Sequence, residues 1–194
     1  MEESKKEIME ATFRALSEHG YAELSIQKIA DESDKAKSAI YYHYEDKEDL
    51  LLAFLEFLEE SIDEMHAEIE EKPPEERLDE LLDLGLGVRD DERWMVQRAL
   101  LDLRAQAPRN EKFARKFEEI DQMVRSNVVD IMEEMDIENP ELTAEIFVSC
   151  IEGAVNRKVS AGDREGLEEL RHGIKRMLDK KASGSGCGCC NNDE

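Results

Sequence analysis

The side chains with the clearest chemistry lie in one short segment near the N-terminus. Ammonium, hydroxyl and imidazole groups follow one another there, at Lys37, Ser38, Tyr41, Tyr42, His43 and Lys47. Such groups donate hydrogen bonds to phosphate oxygens and to base edges, and tyrosine rings contact the thymine methyl group. Lys37 and Ser38 are the best candidates for reading bases, whereas the last three residues of the set suit phosphate contacts. The segment therefore has the chemistry of DNA binding.

Two short helices separated by a polar turn would place these side chains. Ser25 is expected to cap the first of the two, whose inward residues are Ile26, Ile29 and Ala30. The next helix exposes Lys37 and Ser38 and turns Ile40 and Tyr44 inward, with Tyr41 divided between packing and DNA contact. This is a helix-turn-helix, in which the second helix enters the major groove and the first crosses the backbone. The first helix and the turn contribute further candidate contacts, namely Ser25, Gln27 and Lys35.

Helical signals also dominate the rest of the chain. An amphipathic first helix ends near Gly20, and Asp46 is expected to cap a long fourth helix that Pro73 and Pro74 stop. About five more helices follow, one of them opening at Asn139 as cap and Pro140 in the first turn. No strand-like alternation of useful length occurs. We predict an all-α fold of about nine helices, with a three-helix N-terminal head and a C-terminal helical domain.

The domain boundaries follow from these signals. Residues 1–52 form the predicted DNA-binding domain, called the head below, and residues 53–181 form the C-terminal helical domain. Residues 182–194 are a flexible tail, because the Ser-Gly composition before the last cysteines is typical of linkers. The last two long helices carry an apolar stripe that suits a four-helix dimer seam, at Ile146, Val148, Ile151, Val155, Leu167, Leu170, Ile174 and Leu178.

The segment from about residue 8 to 55 resembles the TetR family of transcriptional regulators. The resemblance rests on a set of spaced residues, namely Gly20-Tyr21, Ser25, Ile29-Ala30, the run from Tyr41 to Tyr44, and Lys47-Glu48 followed by Leu50-Leu51. It implies a homodimer that binds a palindromic operator on double-stranded DNA, most simply as a repressor. It also implies that residues 53–181 are a helical regulatory and dimerisation domain for ligand binding, in which an unknown small-molecule inducer binds and changes the spacing of the two heads.

The turn of the helix-turn-helix departs from the family pattern. Asp34 stands where the family usually has glycine, and Ala36 replaces the usual serine cap of the third helix. Loss of a capping side chain costs about 0.5–2 kcal/mol. We expect the head to fold with a looser start to its third helix.

The net charge of −23 opposes DNA binding, since phosphate contacts dominate DNA affinity. The acidity is not confined to one domain, because residues 1–60 hold 7 Lys and Arg against 16 Asp and Glu. An acidic coat suits a protein that works in concentrated salt, where the Debye length falls to about 3 Å at 1 M. We hypothesise a halophilic host, such as a halophilic archaeon; an ordinary acidic cytosolic protein is the alternative.

Other functions have weaker support in the sequence. No phosphate-binding glycine loop or zinc-protease motif is present and the histidines are scattered, so we predict no enzyme and no cofactor. We expect a cytoplasmic protein without a membrane partner, since no apolar run could span a bilayer. Candidate ligand-binding residues are Trp94, Phe117 and Phe147, although such residues are more often core. Two alternatives stay open: an interaction protein with a head that no longer binds DNA, and a metal or redox sensor through Cys187, Cys189 and Cys190.

Overall fold

The computed structural model describes residues 3–33, 35–89 and 91–182 of the 194-residue chain, and this described part is all α-helical. Its α-helices run in the order α1 (Glu3–Glu23), α2 (Ile26–Asp31), α3 (Lys37–His43), α4 (Lys47–Ile69), α5 (Pro74–Leu86), α6 (Asp91–Arg104), α7 (Glu111–Glu134), α8 (Pro140–Ala161) and α9 (Leu167–Ala182). A single 3₁₀ turn, Ala107–Arg109, precedes α7. The predicted all-α fold of about nine helices is confirmed.

Capping side chains stabilise the starts of α2, α4 and α7. The Ser25 hydroxyl accepts a hydrogen bond from the Lys28 amide at 3.3 Å, and the Asp46 carboxylate accepts one from the Asp49 amide at 2.9 Å. Both predicted caps are thus confirmed. The Asn110 side chain caps α7 by accepting from the Lys112 amide at 3.0 Å, a cap that sequence reasoning missed.

The prediction that Asn139 caps α8 with its side chain is wrong. Asn139 has a left-handed backbone, with φ 55°, and its side chain makes no capping hydrogen bond. Its carbonyl oxygen instead accepts from the Thr143 amide at 2.9 Å. The Thr143 hydroxyl donates to the Glu138 carbonyl at 3.3 Å, so the turn before α8 is stabilised from inside the helix.

A first compact unit comprises the described residues of 1–72 and 87–124. Its hydrophobic core joins the head to α4, α6 and the first half of α7. Ile8, Leu50, Phe54 and Phe113 have no exposed surface in this core. Arg104 on α6 binds both carboxylate oxygens of Asp121 on α7 at 2.7 Å, and so fixes these two helices together. The three helices of the head therefore share one core with the longer helices α4, α6 and α7.

A second compact unit comprises residues 73–86 and the described residues of 125–194. Here α5 packs against α8 and α9, and it comes so close to α8 that a Cβ on Gly85 would lie 2.8 Å from Ile151. Ion pairs add to this packing: Arg171 and Lys175 of α9 bind Asp83 and Asp79 of α5. Arg77 of α5 binds Glu134, and this hydrogen bond lowers the pKa of the Glu134 carboxyl.

Most of the stripe predicted to form a dimer seam is buried inside the second unit itself. Ile151, Val155, Leu167, Ile174 and Leu178 are each at most 9% exposed. Only Ile146, at 39%, remains an exposed large hydrophobic residue of that set. Val148 and Leu170 are half-buried, and the assignment of the stripe to a surface between two chains stays a prediction.

The described helices also bear on membrane association. None of them combines the length and the apolar composition that crossing a bilayer requires.

Candidate nucleic-acid interface

Helix α3 divides into a buried and an exposed face as predicted. Ile40 is fully buried and Tyr44, which follows the helix, is 8% exposed. Burial raises the pKa of the Tyr44 hydroxyl, with Asp49 and Glu56 adding to the shift. On the other face, Tyr41 is 50% exposed and Tyr42 is 85% exposed, and Lys37 and Ser38 are exposed too. Four of the candidate DNA contacts therefore share one free helix face.

The start of α3 lacks a capping side chain, as expected from Ala36. The cap residue makes no side-chain hydrogen bond, and its carbonyl accepts from the Ala39 amide at 2.8 Å. Ahead of it, the Ser33 hydroxyl accepts from the Lys35 amide at 3.1 Å. Ser33 thus orders the turn that the missing cap would otherwise have stabilised. Asp34, the other departure from the family pattern, lies outside the described residues.

Three of the seven Lys and Arg side chains of the head form ion pairs with acids. Ion pairs join Arg14 to Glu32 at 3.7 Å, Lys28 to Glu23 at 3.2 Å and Lys35 to Glu7 at 2.8 Å. Lys37 differs, because it forms no ion pair with any described residue and its ammonium lies 5.8 Å from the centroid of the Tyr41 ring. Lys37 is therefore the basic residue of this region that is best placed to contact a phosphate or the edge of a guanine.

Lys47 has a structural role that its sequence position did not reveal. Its Nζ donates to the carbonyl oxygens of Tyr21 at 3.3 Å and Leu24 at 3.2 Å, and lies 4.3 Å from the centroid of the Tyr21 ring. Partial burial lowers the pKa of the ammonium group. These contacts hold the start of α4 against the end of α1 and the residue that follows it. An ammonium has three donors, so one remains for a phosphate.

The remaining candidate contacts lie around this face. Ser25 is committed as the cap of α2, and the exposed Gln27 side chain donates to Asp31 at 2.8 Å. His43 is half-buried, and its ring meets that of Tyr42 edge-on with centroids 5.1 Å apart. The structure thus pairs Tyr42 with His43, and Lys37 with Tyr41, but leaves Ser25 and Gln27 in local contacts of α2.

The candidate ligand-binding residues are all buried. Trp94 and Phe117 belong to the first unit, at 8% and 3% exposed, and Phe147 belongs to the second, at 2%. Phe117 packs in the core of the first unit, where the Arg104 guanidinium lies 4.6 Å from its ring centroid. Packing thus accounts for Phe117 without a ligand.

Of the four cysteines of the chain, Cys150 lies within the described residues. Among the described residues, no group of three or more His, Cys, Asp and Glu is arranged to hold a metal ion. Cys187, Cys189 and Cys190 lie outside the described residues, so the sensor alternative stays a sequence-based prediction.

An open cleft of about 780 Å³ runs between α8 and α9. Half of its lining residues are small, among them Ser149, Cys150 and Gly153 on α8 and Gly173 on α9. A Cβ added to Gly153 or Gly173 would meet nothing within 4 Å. The outer face of these two helices is therefore open enough for close approach of another helix.

Two family descriptions match the chain. Residues 8–54 match "Bacterial regulatory proteins, tetR family", and residues 74–182 match "BetI-type transcriptional repressor, C-terminal". The chain is also 24% identical over 187 residues to the HTH-type transcriptional repressor AcnR of Corynebacterium glutamicum, covering 92% of this chain and 94% of that protein.

Solved structures share the fold over nearly the whole length. A TetR transcription regulator from Haloarcula marismortui is 37% identical and has a TM-score of 0.83, covering 93% of this chain and 99% of that one. The regulator FadR from Bacillus subtilis in complex with stearoyl-CoA is 22% identical and has a TM-score of 0.72, covering 89% and 96%. The proteins named here are transcriptional regulators, not enzymes.

Proposed function

The chain belongs to the TetR family of DNA-binding transcriptional regulators, and from that membership we propose that it binds a palindromic operator as a ligand-responsive, homodimeric repressor. Within the proposed DNA-binding domain, residues 1–52, the contact face is that of α3. The observation that carries this proposal is the exposed set of Lys37, Ser38, Tyr41 and Tyr42 on one side of a helix whose other side is buried. Lys47 and the half-buried His43 are proposed to add phosphate contacts beside it.

Fluorescence anisotropy with the DNA upstream of the protein's own gene tests the proposed face. Lys37→Ala and Tyr42→Ala should each weaken specific binding about tenfold, the size of one lost base or phosphate contact. Lys37→Ala should also reduce the slope of log affinity against log salt concentration by about one, the contribution of one phosphate contact. Neither variant should change the melting temperature, because both side chains are exposed.

Matched variants separate these contacts from general charge effects. Lys6→Ala removes the same charge from an exposed position of α1 and should bind nearly as wild type does. Tyr42→Phe keeps the ring and removes the hydroxyl, so it distinguishes a thymine contact from a phosphate contact. Equal losses for Lys6→Ala and Lys37→Ala would contradict a specific role of α3. No binding to any genomic fragment at any salt concentration would favour the interaction-protein alternative.

We also propose that binding is adapted to concentrated salt, as in a halophilic host. The support is the net charge of −23 for the chain, together with the ion pairs that engage three of the seven Lys and Arg side chains of the head. Screening at high ionic strength shortens the range of repulsion between this acidic surface and DNA. The anisotropy series should therefore cover roughly 0.1 to 3 M KCl, where screening ranges from slight to nearly complete. Optimal folding and binding near the low end would refute the adaptation.

The proposed homodimer would use the outer face of α8 and α9. Leu142 at 60%, Ile146 at 39% and Met177 at 57% are its exposed large hydrophobic residues, and Gly153 permits close approach. Each contact occurs twice in a two-fold interface, so one substitution places two obstructing side chains in it. Gly153→Glu should therefore shift the protein from dimer to monomer, as measured by light scattering after size exclusion. Gly153→Ala should remain dimeric, and a dimeric Gly153→Glu protein would place the interface elsewhere.

The ligand of the proposed regulatory domain, residues 53–181, is a small molecule of unknown class. Support comes from the family match over residues 74–182 and from the relative FadR, which binds stearoyl-CoA. Trp94 and Phe147 remain candidate lining residues, because each is a buried aromatic side chain outside the described core of the head.

A further inference from the structure

The end of α1 contains one peptide unit with an unusual backbone conformation, that between Gly20 and Tyr21. Gly20 interrupts α1 with φ 68° and ψ 168°, a conformation that glycine adopts far more easily than other residues. Its carbonyl oxygen accepts a hydrogen bond from the Leu24 amide at 3.1 Å. The other end of the same peptide unit is the Tyr21 N–H, which donates outside α1 because the backbone at Gly20 is not helical.

Asp102 on α6 accepts a hydrogen bond from that N–H group. The Tyr21 amide donates to Asp102 Oδ2 over 3.4 Å, and a Cβ placed on Gly20 would lie 3.1 Å from the same oxygen. Helix α6 is itself held against the head, because Leu103 is fully buried in the common core. The Gly20–Tyr21 peptide is thus held at both ends, by Leu24 on one side and by Asp102 on the other.

The stretch from Gly20 to Leu24, at the end of α1, carries both carbonyl groups that bind Lys47. Tyr21 and Leu24 accept its ammonium protons, and the Tyr21 ring lies beside the ammonium. We propose that Asp102 is a positioning residue for DNA binding: by orienting Tyr21 it places the Lys47 ammonium at the start of α4, where a phosphate would meet it. This inference rests on the proposed DNA interface, in which Lys47 contacts the backbone.

Electrostatics and positioning predict opposite signs for the loss of Asp102. Removing a negative charge from a DNA-binding protein should strengthen binding slightly, since repulsion from phosphate falls. Loss of the acceptor for Tyr21 should weaken binding, because the Lys47 site becomes less ordered. Asp102→Asn removes the charge but keeps an acceptor oxygen, whereas Asp102→Ala removes both. The two substitutions therefore separate the two effects.

The experiment compares the DNA affinity of the full-length variants with that of the wild type. Asp102→Asn and the charge control Glu92→Ala, at an exposed site of the same helix, should bind as tightly as wild type or slightly more tightly. Asp102→Ala should bind about fivefold more weakly, a loss in the range of coupled neighbouring residues. In a Lys47→Ala background, Asp102→Ala should not change DNA affinity, because the ammonium group that Asp102 positions is absent.

Amide hydrogen exchange at Tyr21 gives a readout that needs no DNA. Exchange should accelerate in Asp102→Ala and stay near the wild-type rate in Asp102→Asn. The positioning role is overturned if Asp102→Ala binds DNA as Asp102→Asn does, or if its loss persists in the Lys47→Ala background. A wild-type protein that binds no DNA would instead refute the proposed function, while Tyr21 exchange would still report on the contact with Asp102.

Discussion

Phe54→Ala should lower the free energy of unfolding by about 3–5 kcal/mol, the usual loss for a buried phenylalanine. Phe54 lies on α4 with no exposed surface, in the core that joins the head to α6 and α7. Truncation removes the apolar contacts of the ring and leaves a cavity that close-packed neighbours fill only in part. Thermal unfolding should therefore occur roughly 6–20 °C lower, at the usual sensitivity of a chain of this size.

Phe57→Ala is the matched control for this prediction. Phe57 is on the same helix and packs against the same core, but it is only half-buried. Its truncation should cost about 1–2 kcal/mol, because less apolar area returns to water. Below the melting transition, both variants should bind DNA as the wild type does, since neither side chain lies on α3. Equal losses of stability for the two would contradict the account of the core.

Arg171→Met should destabilise the second unit by about 2–4 kcal/mol, near the cost of breaking a buried ion pair. Arg171 donates from Nε to Asp83, a carboxylate only 5% exposed on α5. That hydrogen bond raises the pKa of the Arg171 guanidinium. Methionine keeps much of the apolar stem but removes the positive charge. The buried Asp83 carboxylate would then lose a main source of compensation for its desolvation.

A second substitution tests whether charge is the cause. Asp83→Asn in the Arg171→Met background should recover a large part of the lost stability, because the buried negative charge is removed without a change of shape. Arg176→Met, at an exposed position of the same helix, should change the free energy of unfolding little. If chemical denaturation gives Arg171→Met and Arg176→Met the same free energy of unfolding, the ion pair contributes nothing measurable to stability.

Local patterns in the sequence determined much of the fold and part of the interface. The helix starts at Ser25 and Asp46 follow from short polar side chains that satisfy free amides of their own first turn. The division of α3 into buried Ile40 and exposed Tyr42 follows from helical periodicity. These features depend on residues within a turn or two of one another, so the order of amino acids is enough to predict them.

The prediction for Asn139 failed although it used the same reasoning. A left-handed backbone at this position removes the geometry in which an asparagine side chain reaches the helix amides. The sequence shows which residue types favour a cap, but not which backbone conformation the preceding turn adopts. The cap at Asn110 was missed for the same reason, because its conformation follows from the 3₁₀ turn before it.

Only the tertiary structure decided the contacts between distant parts of the chain. Lys47 was predicted to face phosphate, yet two of its donors go to carbonyl groups more than twenty residues earlier. Asp102 meets Tyr21 from 81 positions away, and Arg171 meets Asp83 from 88. Helical periodicity marks such residues only as exposed or buried. Which side chains then meet depends on how the helices pack, and that is set by the whole core rather than by any local pattern.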